Sequence, residues 1–278
     1  MSMDDDFGDF FQKEAEINAI RHNIINLIIL LDTSGSMHGN RINEVNNVMN
    51  GLNDLIKDVE ESYCVQVRLR VIQFNSYATW VVGSVEHYIG SYPFWYDHAV
   101  ESQAWIPLIA GGTTETAEAI VLASAAIHND FYPQNDSRNE YDCLCYHSPI
   151  VLLVTDGMSN NPNLTEKAIE NLKQAVPKQY EDQITRVSIG IGGASLDELK
   201  DFASVGKIER GDGNVSEKTP LAFYFRDDEA ILGKNLRDII LSAIVSSIGY
   251  GRLSERYENE EYFPVISEYH HDGDDWLD

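Results

Sequence analysis

Three short segments carry the side chains best suited to chemistry: Asp32-Thr-Ser34-Gly-Ser36-Met37, Gly111-Gly112-Thr113-Thr114 and Thr155-Asp156-Gly157. Each supplies hard oxygens, carboxylate or hydroxyl, beside a glycine that lets the backbone approach closely. Hard oxygens select Mg²⁺ or Mn²⁺, with Ca²⁺ as a further candidate, over zinc. Mg²⁺ usually takes one or two carboxylates and keeps waters, which leaves room for an outside ligand. The plain alternative is that Asp32, Ser34 and Ser36 only cap a helix. Three such segments in order, each at a strand end or helix start, outweigh it.

The elements that must place these segments follow from hydrophobic spacing. Asn26–Leu31 is almost continuously apolar, as a strand buried on both faces requires. From Asn40, the residues Ile42, Val45, Val48, Met49, Leu52, Leu55, Ile56 and Val59 recur at three and four, which predicts an amphipathic helix of about five turns. Val65 to Phe74 alternates as a strand, and Ala78–Val82 returns beside it as a hairpin. Thr114–Asn129 predicts a helix, Pro149–Thr155 a buried strand, and Glu166–Val176 a helix stopped by Pro177. Ile184–Ile191 predicts a strand, and Ser195-Leu-Asp-Glu198 a capping box opening the next helix. Leu221–Phe225 predicts a last strand and Ala230–Ile248 a last helix. The order implies an α/β fold: a doubly wound, mainly parallel six-stranded sheet, helices on both faces and one antiparallel edge strand. Such sheets hold ligands at the C-terminal ends of their strands.

The 278 residues carry 45 acids against 20 basic side chains, a net charge of −25. Residues 1–16 contribute −5 (six acids, one base) and residues 256–278 contribute −7 (eight acids, one base). The expected organisation is an acidic extension (1–22), a domain (23–250) and an acidic tail (251–278). This charge excludes a sequence-independent grip on nucleic acid and disfavours an anionic membrane surface. The acidic start lacks the basic, then apolar pattern of a signal peptide, and three cysteines make no disulfide scaffold; a cytoplasmic location is the expectation.

Asp-Thr-Ser-Gly-Ser after a hydrophobic strand, then Gly-Gly-Thr, then Thr-Asp-Gly after another strand, resembles the von Willebrand factor A (VWA) family from about Asn23 to Ile248. The resemblance implies a metal-ion-dependent adhesion site made by Asp32, Ser34, Ser36, Thr113 and Asp156. The three hydroxyls would touch the metal, the two carboxylates would act partly through water, and an acidic residue of a partner protein would be the last ligand. Met37, His38, Thr114, Trp95 and Trp105 are then the expected partner contacts. Leu31-Asp32-Thr-Ser-Gly-Ser-Met37, Gly39, Ile42, Val45-Asn46, Ile72, Phe74 and Leu153-Val-Thr-Asp-Gly157 are most similar to the intracellular prokaryotic TerY-type branch. That branch implies a non-enzymatic role in stress or tellurite resistance, with a kinase or phosphatase encoded alongside as the partner. The aromatic segment 83–107, the loop 131–148 and the acidic tail depart from a minimal domain.

Other readings carry less. Cys143, Cys145 and His147 give only three ligands at tight spacing, and a zinc site would need a fourth from elsewhere, such as His128. His270-His271 amid aspartates is at best an adventitious metal binder. Gly190-Ile-Gly192-Gly193 lacks the Lys and Ser/Thr of a phosphate loop and reads as a turn. The aromatics of 83–107 fit either a partner platform or a local mini-core. The tail mixes acids with Tyr262, Phe263, Val265, Ile266, Tyr269, Trp276 and Leu277, a composition suited to solubility or to self-association through a carboxylate on the metal. Two functions compete: a phosphohydrolase with Asp32 as nucleophile, and an extracellular adhesin of the same fold. The first needs a second carboxylate where Ser34 stands, as in haloacid-dehalogenase-like enzymes.

Overall fold

The computed structural model describes residues 23–63, 65–82, 105–128, 145–146, 148–176, 184–206, 219–225 and 229–249. Trp95, Cys143, His147, most of the aromatic segment and both acidic ends lie outside these residues. Nine strands and five α-helices occur among the described residues: β1 Asn23–Asp32, α1 Asn40–Tyr63, β2 Gln66–Phe74, β3 Ala78–Val82, α2 Thr116–Ala126, β4 Cys145–Tyr146, β5 Ile150–Thr155, α3 Pro162–Lys173, β6 Thr185–Ile191, α4 Leu196–Phe202, β7 Val205–Gly206, β8 Thr219–Pro220, β9 Ala222–Phe225 and α5 Glu229–Gly249. A single 3₁₀ turn, Gly35–Met37, stands between β1 and α1.

The main sheet runs β3-β2-β1-β5-β6-β9, with the two-residue β4 paired to the start of β1. All pairings in it are parallel except β2 with β3. The expected six-stranded path and antiparallel edge are therefore present. The short β4 and the β7–β8 ribbon have no periodicity from which to be foreseen: two residues are too few to alternate.

β1 sorts its side chains by parity, as a strand covered on both faces must. Ile25, Leu27, Ile29 and Leu31 enter one core with Val45, Met49, Leu52 and Ile56 of α1 and Leu236, Ile240 and Ile244 of α5. Ile28 and Leu30 enter the other with Ile120 and Ala123 of α2, Ile169 and Leu172 of α3, and Phe202 of α4. The chain therefore leaves β1 toward one face and leaves β5, the neighbouring strand, toward the other. The two departures open a crevice above the C-terminal ends of β1 and β5.

Local chemistry adjusts several boundaries. α3 begins at Pro162, earlier than the periodicity suggests, because Asn161 caps it: its side chain accepts from the Leu164 N–H, and proline suits the first helical position. α2 is shorter than expected at its start, since Thr113–Glu115 are held as loop. The capping box at Ser195 is half formed. Ser195 Oγ accepts from Glu198 N at 3.4 Å, but the Glu198 carboxylate turns away to accept from Ser159 N at 2.9 Å, in the loop after β5. Gly190 sits inside β6, and Gly192 adopts a positive φ in the turn that follows. A Cβ on Gly190 would lie 2.3 Å from Leu199 Cδ1 and 2.9 Å from Ala194 Cβ. Gly190→Ala should accordingly lose about 1–3 kcal/mol of stability, as overpacked cores do, measured by chemical denaturation. No described helix is long and apolar enough to cross a membrane.

Candidate metal centre

Asp32 ends β1 with its side chain fully buried. Its Oδ1 accepts from Ser34 N at 2.7 Å and its Oδ2 from Thr155 Oγ1 at 2.6 Å. These two bonds fix the carboxylate across the β1–β5 boundary. Burial pushes the Asp32 carboxyl up from its usual range. The Thr155 and Ser34 bonds work against that, and the nearby Asp156 charge adds a smaller upward push. Such a carboxylate gains from a cation.

Beyond Asp32 the 3₁₀ turn brings Ser34 and Ser36 side by side, with Oγ to Oγ at 3.0 Å. Ser36 Oγ donates to Asp156 Oδ1 at 2.6 Å. Asp156 follows the last residue of β5, and its side chain is fully buried. Its Oδ2 accepts from Arg41 Nη1 at 2.6 Å, and the same nitrogen donates to Ser36 O at 3.3 Å. Four of the five expected ligands are thus joined in one hydrogen-bonded set: Asp32, Ser34, Ser36 and Asp156.

The fifth position, Thr113, stands apart from that hydrogen-bonded set. Thr113 is exposed, and its hydroxyl donates to Ser76 Oγ at 3.1 Å, while its N–H donates to the same oxygen at 3.0 Å. Thr114 is buried instead. A Cβ placed on Gly157 would lie 3.4 Å from Thr114 Oγ1 and 3.7 Å from Ser36 Oγ, so both hydroxyls overhang the residue after Asp156. The reason is backbone geometry. Gly112, at φ +85°, turns the chain so that residue 113 faces the β2–β3 turn and residue 114 faces β5. A Cβ at Gly112 would meet Ser76 Oγ at 2.6 Å, so only glycine allows this approach. Thr114, expected as a partner contact, is thus the buried threonine beside Gly157, while Thr113, expected as a ligand, is held by Ser76.

Two further expectations change. Met37 is fully buried against the α1 core and offers nothing to a partner: the tight 3₁₀ turn that leaves Ser36 exposed aims Met37 inward. Trp105 packs against that same core, and its indole N–H donates to Asn46 Oδ1 at 3.0 Å. It serves as a strut. His38 is exposed, as expected. Of the proposed soft-metal set, His128 is exposed and the paired cysteine and histidine side chains lie outside the described residues. No group of three or more His, Cys, Asp and Glu side chains suited to a metal occurs among the described residues.

Sequence reasoning missed the residues that hold the segments in register. Asn46, on α1, accepts from Trp105 Nε1 and from Leu108 N at 2.8 Å, and donates to Leu108 O at 3.0 Å. Gly111 N donates to Thr33 O and Gly35 N to Gly112 O, at 2.8 and 3.0 Å, and Asn160 N donates to Thr114 O at 3.0 Å. A polar residue on an otherwise apolar helical stripe was the available signal for Asn46. Asn46→Ala should cost about 1–3 kcal/mol, because Leu108 N–H and the indole N–H lose their acceptor; thermal melting of the metal-free protein measures it.

The donor set fits a hard divalent ion. Every inward atom is oxygen, and ligands at about 2.0–2.1 Å around an octahedral ion stand about 2.9 Å apart, close to the Ser34–Ser36 separation of 3.0 Å. The model of the von Willebrand factor type A domain matches residues 26–221.

The chain belongs to the von Willebrand factor type A family.

The match ends before β9 and α5, yet both pack as parts of the same domain. Among solved structures, this VWA chain is similar to a von Willebrand factor type A protein from Catenulispora acidiphila: 19% identity, TM-score 0.50, covering 80% of this chain and 43% of that one. It is also similar to proximal thread matrix protein 1 of the mussel byssus, at 19% identity and TM-score 0.49, covering 80% and 48%. A further structure of that mussel protein, with a zinc-occupied MIDAS motif, matches at 17% identity and TM-score 0.44, covering 79% and 46%. The chain thus spans less than half the length of these solved chains. A comparison with curated protein sequences gives no match.

Proposed function

We propose that this VWA domain binds one divalent ion, Mg²⁺ or Mn²⁺, in a metal-ion-dependent adhesion site, and uses it to capture a carboxylate of another protein. The observation that carries this reading is the set formed by Asp32, Ser34, Ser36 and Asp156 at the crevice above β1 and β5. It offers two carboxylates and two serine hydroxyls, which leaves room in an octahedral shell for an outside ligand. Asp32, Ser34, Ser36, Thr114 and Asp156 hold the ion in this reading, and the bound ion supplies Lewis acidity toward an incoming Asp or Glu. The protein's part is to hold those oxygens and leave one side open.

Exposed apolar side chains on the surrounding segments support a protein partner. Tyr77 (60% exposed) follows Ser76, Ile109 (85%) precedes the glycine pair, and Met158 (61%) follows Gly157. Large apolar groups around a polar anchor are the usual composition of a binding surface. The role is non-catalytic in this reading: both Asp32 oxygens accept hydrogen bonds from the protein, and Ser34 stands where a second carboxylate would be needed for phosphoryl chemistry. A cytoplasmic stress or tellurite-resistance setting, with a kinase or phosphatase partner, is the context the TerY-type resemblance suggests.

The test uses a short peptide with one aspartate flanked by apolar residues, and its asparagine counterpart. The aspartate peptide should bind the Mn²⁺-loaded protein and displace metal-bound water, seen as reduced water-proton relaxation. The asparagine peptide should not, and EDTA should abolish binding. Equal binding of both peptides, or binding that persists in EDTA, overturns the proposal.

A further inference from the structure

Arg41 stands out because its position runs against helix electrostatics. It is the second residue of α1, a 24-residue helix with no acidic residue in its first turn. A cation there faces the positive end of the helix dipole and is disfavoured. Its side chain nevertheless folds back over the 3₁₀ turn and reaches Asp156 Oδ2 at 2.6 Å, with Ser36 O at 3.3 Å. Asp156 is fully buried at its side chain and Arg41 is 21% exposed, so the pair is held at the rim, with the carboxylate inside. A buried carboxylate needs a counter-charge, and in this arrangement Arg41 provides it.

We infer that Arg41 is a built-in competitor for the metal: it neutralises Asp156 when no ion is bound, and a divalent ion must work against its charge to occupy the site. This inference rests on the metal-binding reading above and adds a specificity determinant to it. Asp156 has one oxygen taken by Ser36 and the other by Arg41. An entering dication meets a site whose two carboxylate charges are already partly offset, which keeps its affinity for the ion alone low. An incoming partner carboxylate restores the missing negative charge, and can be met by the guanidinium as well as the ion. Metal and acidic partner therefore bind cooperatively, and neither binds tightly by itself.

The sign of one change separates this role from a structural one. If Arg41 only ties the 3₁₀ turn to β5, removing it loosens the ligands and weakens metal binding. If it competes, removing it strengthens metal binding. Mn²⁺ affinity of the full chain is measured by calorimetry, with the metal-free melting temperature alongside. Arg41→Gln should bind Mn²⁺ on the order of tenfold more tightly than wild type, since like charges a few ångströms apart cost that much even when well solvated. Arg41→Met also removes the charge and keeps much of the side chain's length, so it should bind Mn²⁺ more tightly than wild type by a similar factor; it serves as the test if the glutamine variant does not fold. Equal or weaker Mn²⁺ binding by the folded variant overturns the competitor role while leaving the metal site standing. Wild-type protein that binds no Mn²⁺ at this site overturns both.

Discussion

Asp32→Asn should abolish the rise in melting temperature that Mg²⁺ or Mn²⁺ gives the wild-type protein, while leaving the metal-free protein at least as stable. An ion at a hundredfold over its Kd adds about 2.7 kcal/mol, or about 5–10 °C for a domain of this size. Asparagine has nearly the shape of aspartate. Its carbonyl oxygen can still accept from Ser34 N, and its amide can donate to Thr155 Oγ1, which rotates to accept. What it lacks is the charge, and that charge is buried without a cation beside it in the metal-free protein. Removing it relieves the burial and the repulsion from Asp156 but takes away the ion's strongest attraction. A structural role for Asp32 would predict the opposite pattern: a loss of metal-free stability and an intact response to metal. Thermal melts with and without Mn²⁺, for both proteins, give the four numbers needed.

The two adjacent threonines should behave differently. Thr114→Val keeps the shape and removes one hydroxyl that stands with the Ser36 hydroxyl over Gly157, the residue after Asp156. Its Mn²⁺ affinity should fall by at least the 10–100-fold that changes just outside a metal's ligand shell produce. Thr113→Val removes a hydroxyl engaged with Ser76 at the exposed rim, so its affinity should change by less than about threefold. Calorimetric titration of the two variants decides between them. The reverse ranking would mean that Gly112 turns the chain the other way when an ion binds, and that the threonine after the glycines is the ligand.

How far the sequence could be read depends on the length scale of each feature. β1 and α1 were legible because burial on two faces and on one face leave different periods over ten and twenty-four residues. The mainly parallel sheet with one antiparallel edge followed, since strands alternating with helices have few ways to pack. Asp32, Ser34, Ser36 and Asp156 were legible because each sits within a few residues of a strand end, so the fold alone carries them to one crevice. The choice between Thr113 and Thr114 was not. It turns on the positive φ of Gly112 and on Ser76, which lies in the distant β2–β3 turn. Arg41 and Asn46 were hidden for a related reason. Their partners Asp156 and Leu108 are 115 and 62 residues away; for Asn46 the one local sign is a polar break in an apolar stripe, and for Arg41 there is none. Met37 faces away from the motif it belongs to, because successive residues of a 3₁₀ turn point in different directions: Ser36 is exposed and Met37 buried.

The central claim is that one divalent ion is held by the oxygens at the ends of β1 and β5. A Mn²⁺ titration of the wild type and of the Ser34→Ala/Ser36→Ala double variant tests it most directly, because the double variant keeps the net charge of −25 and the acidic ends unchanged. Weak binding to those ends persists in both proteins and cancels. The account predicts one site per chain in the wild type, absent in the double variant although its fold, read by circular dichroism, is retained. A site of equal stoichiometry and affinity in both would place the ion elsewhere and contradict the account.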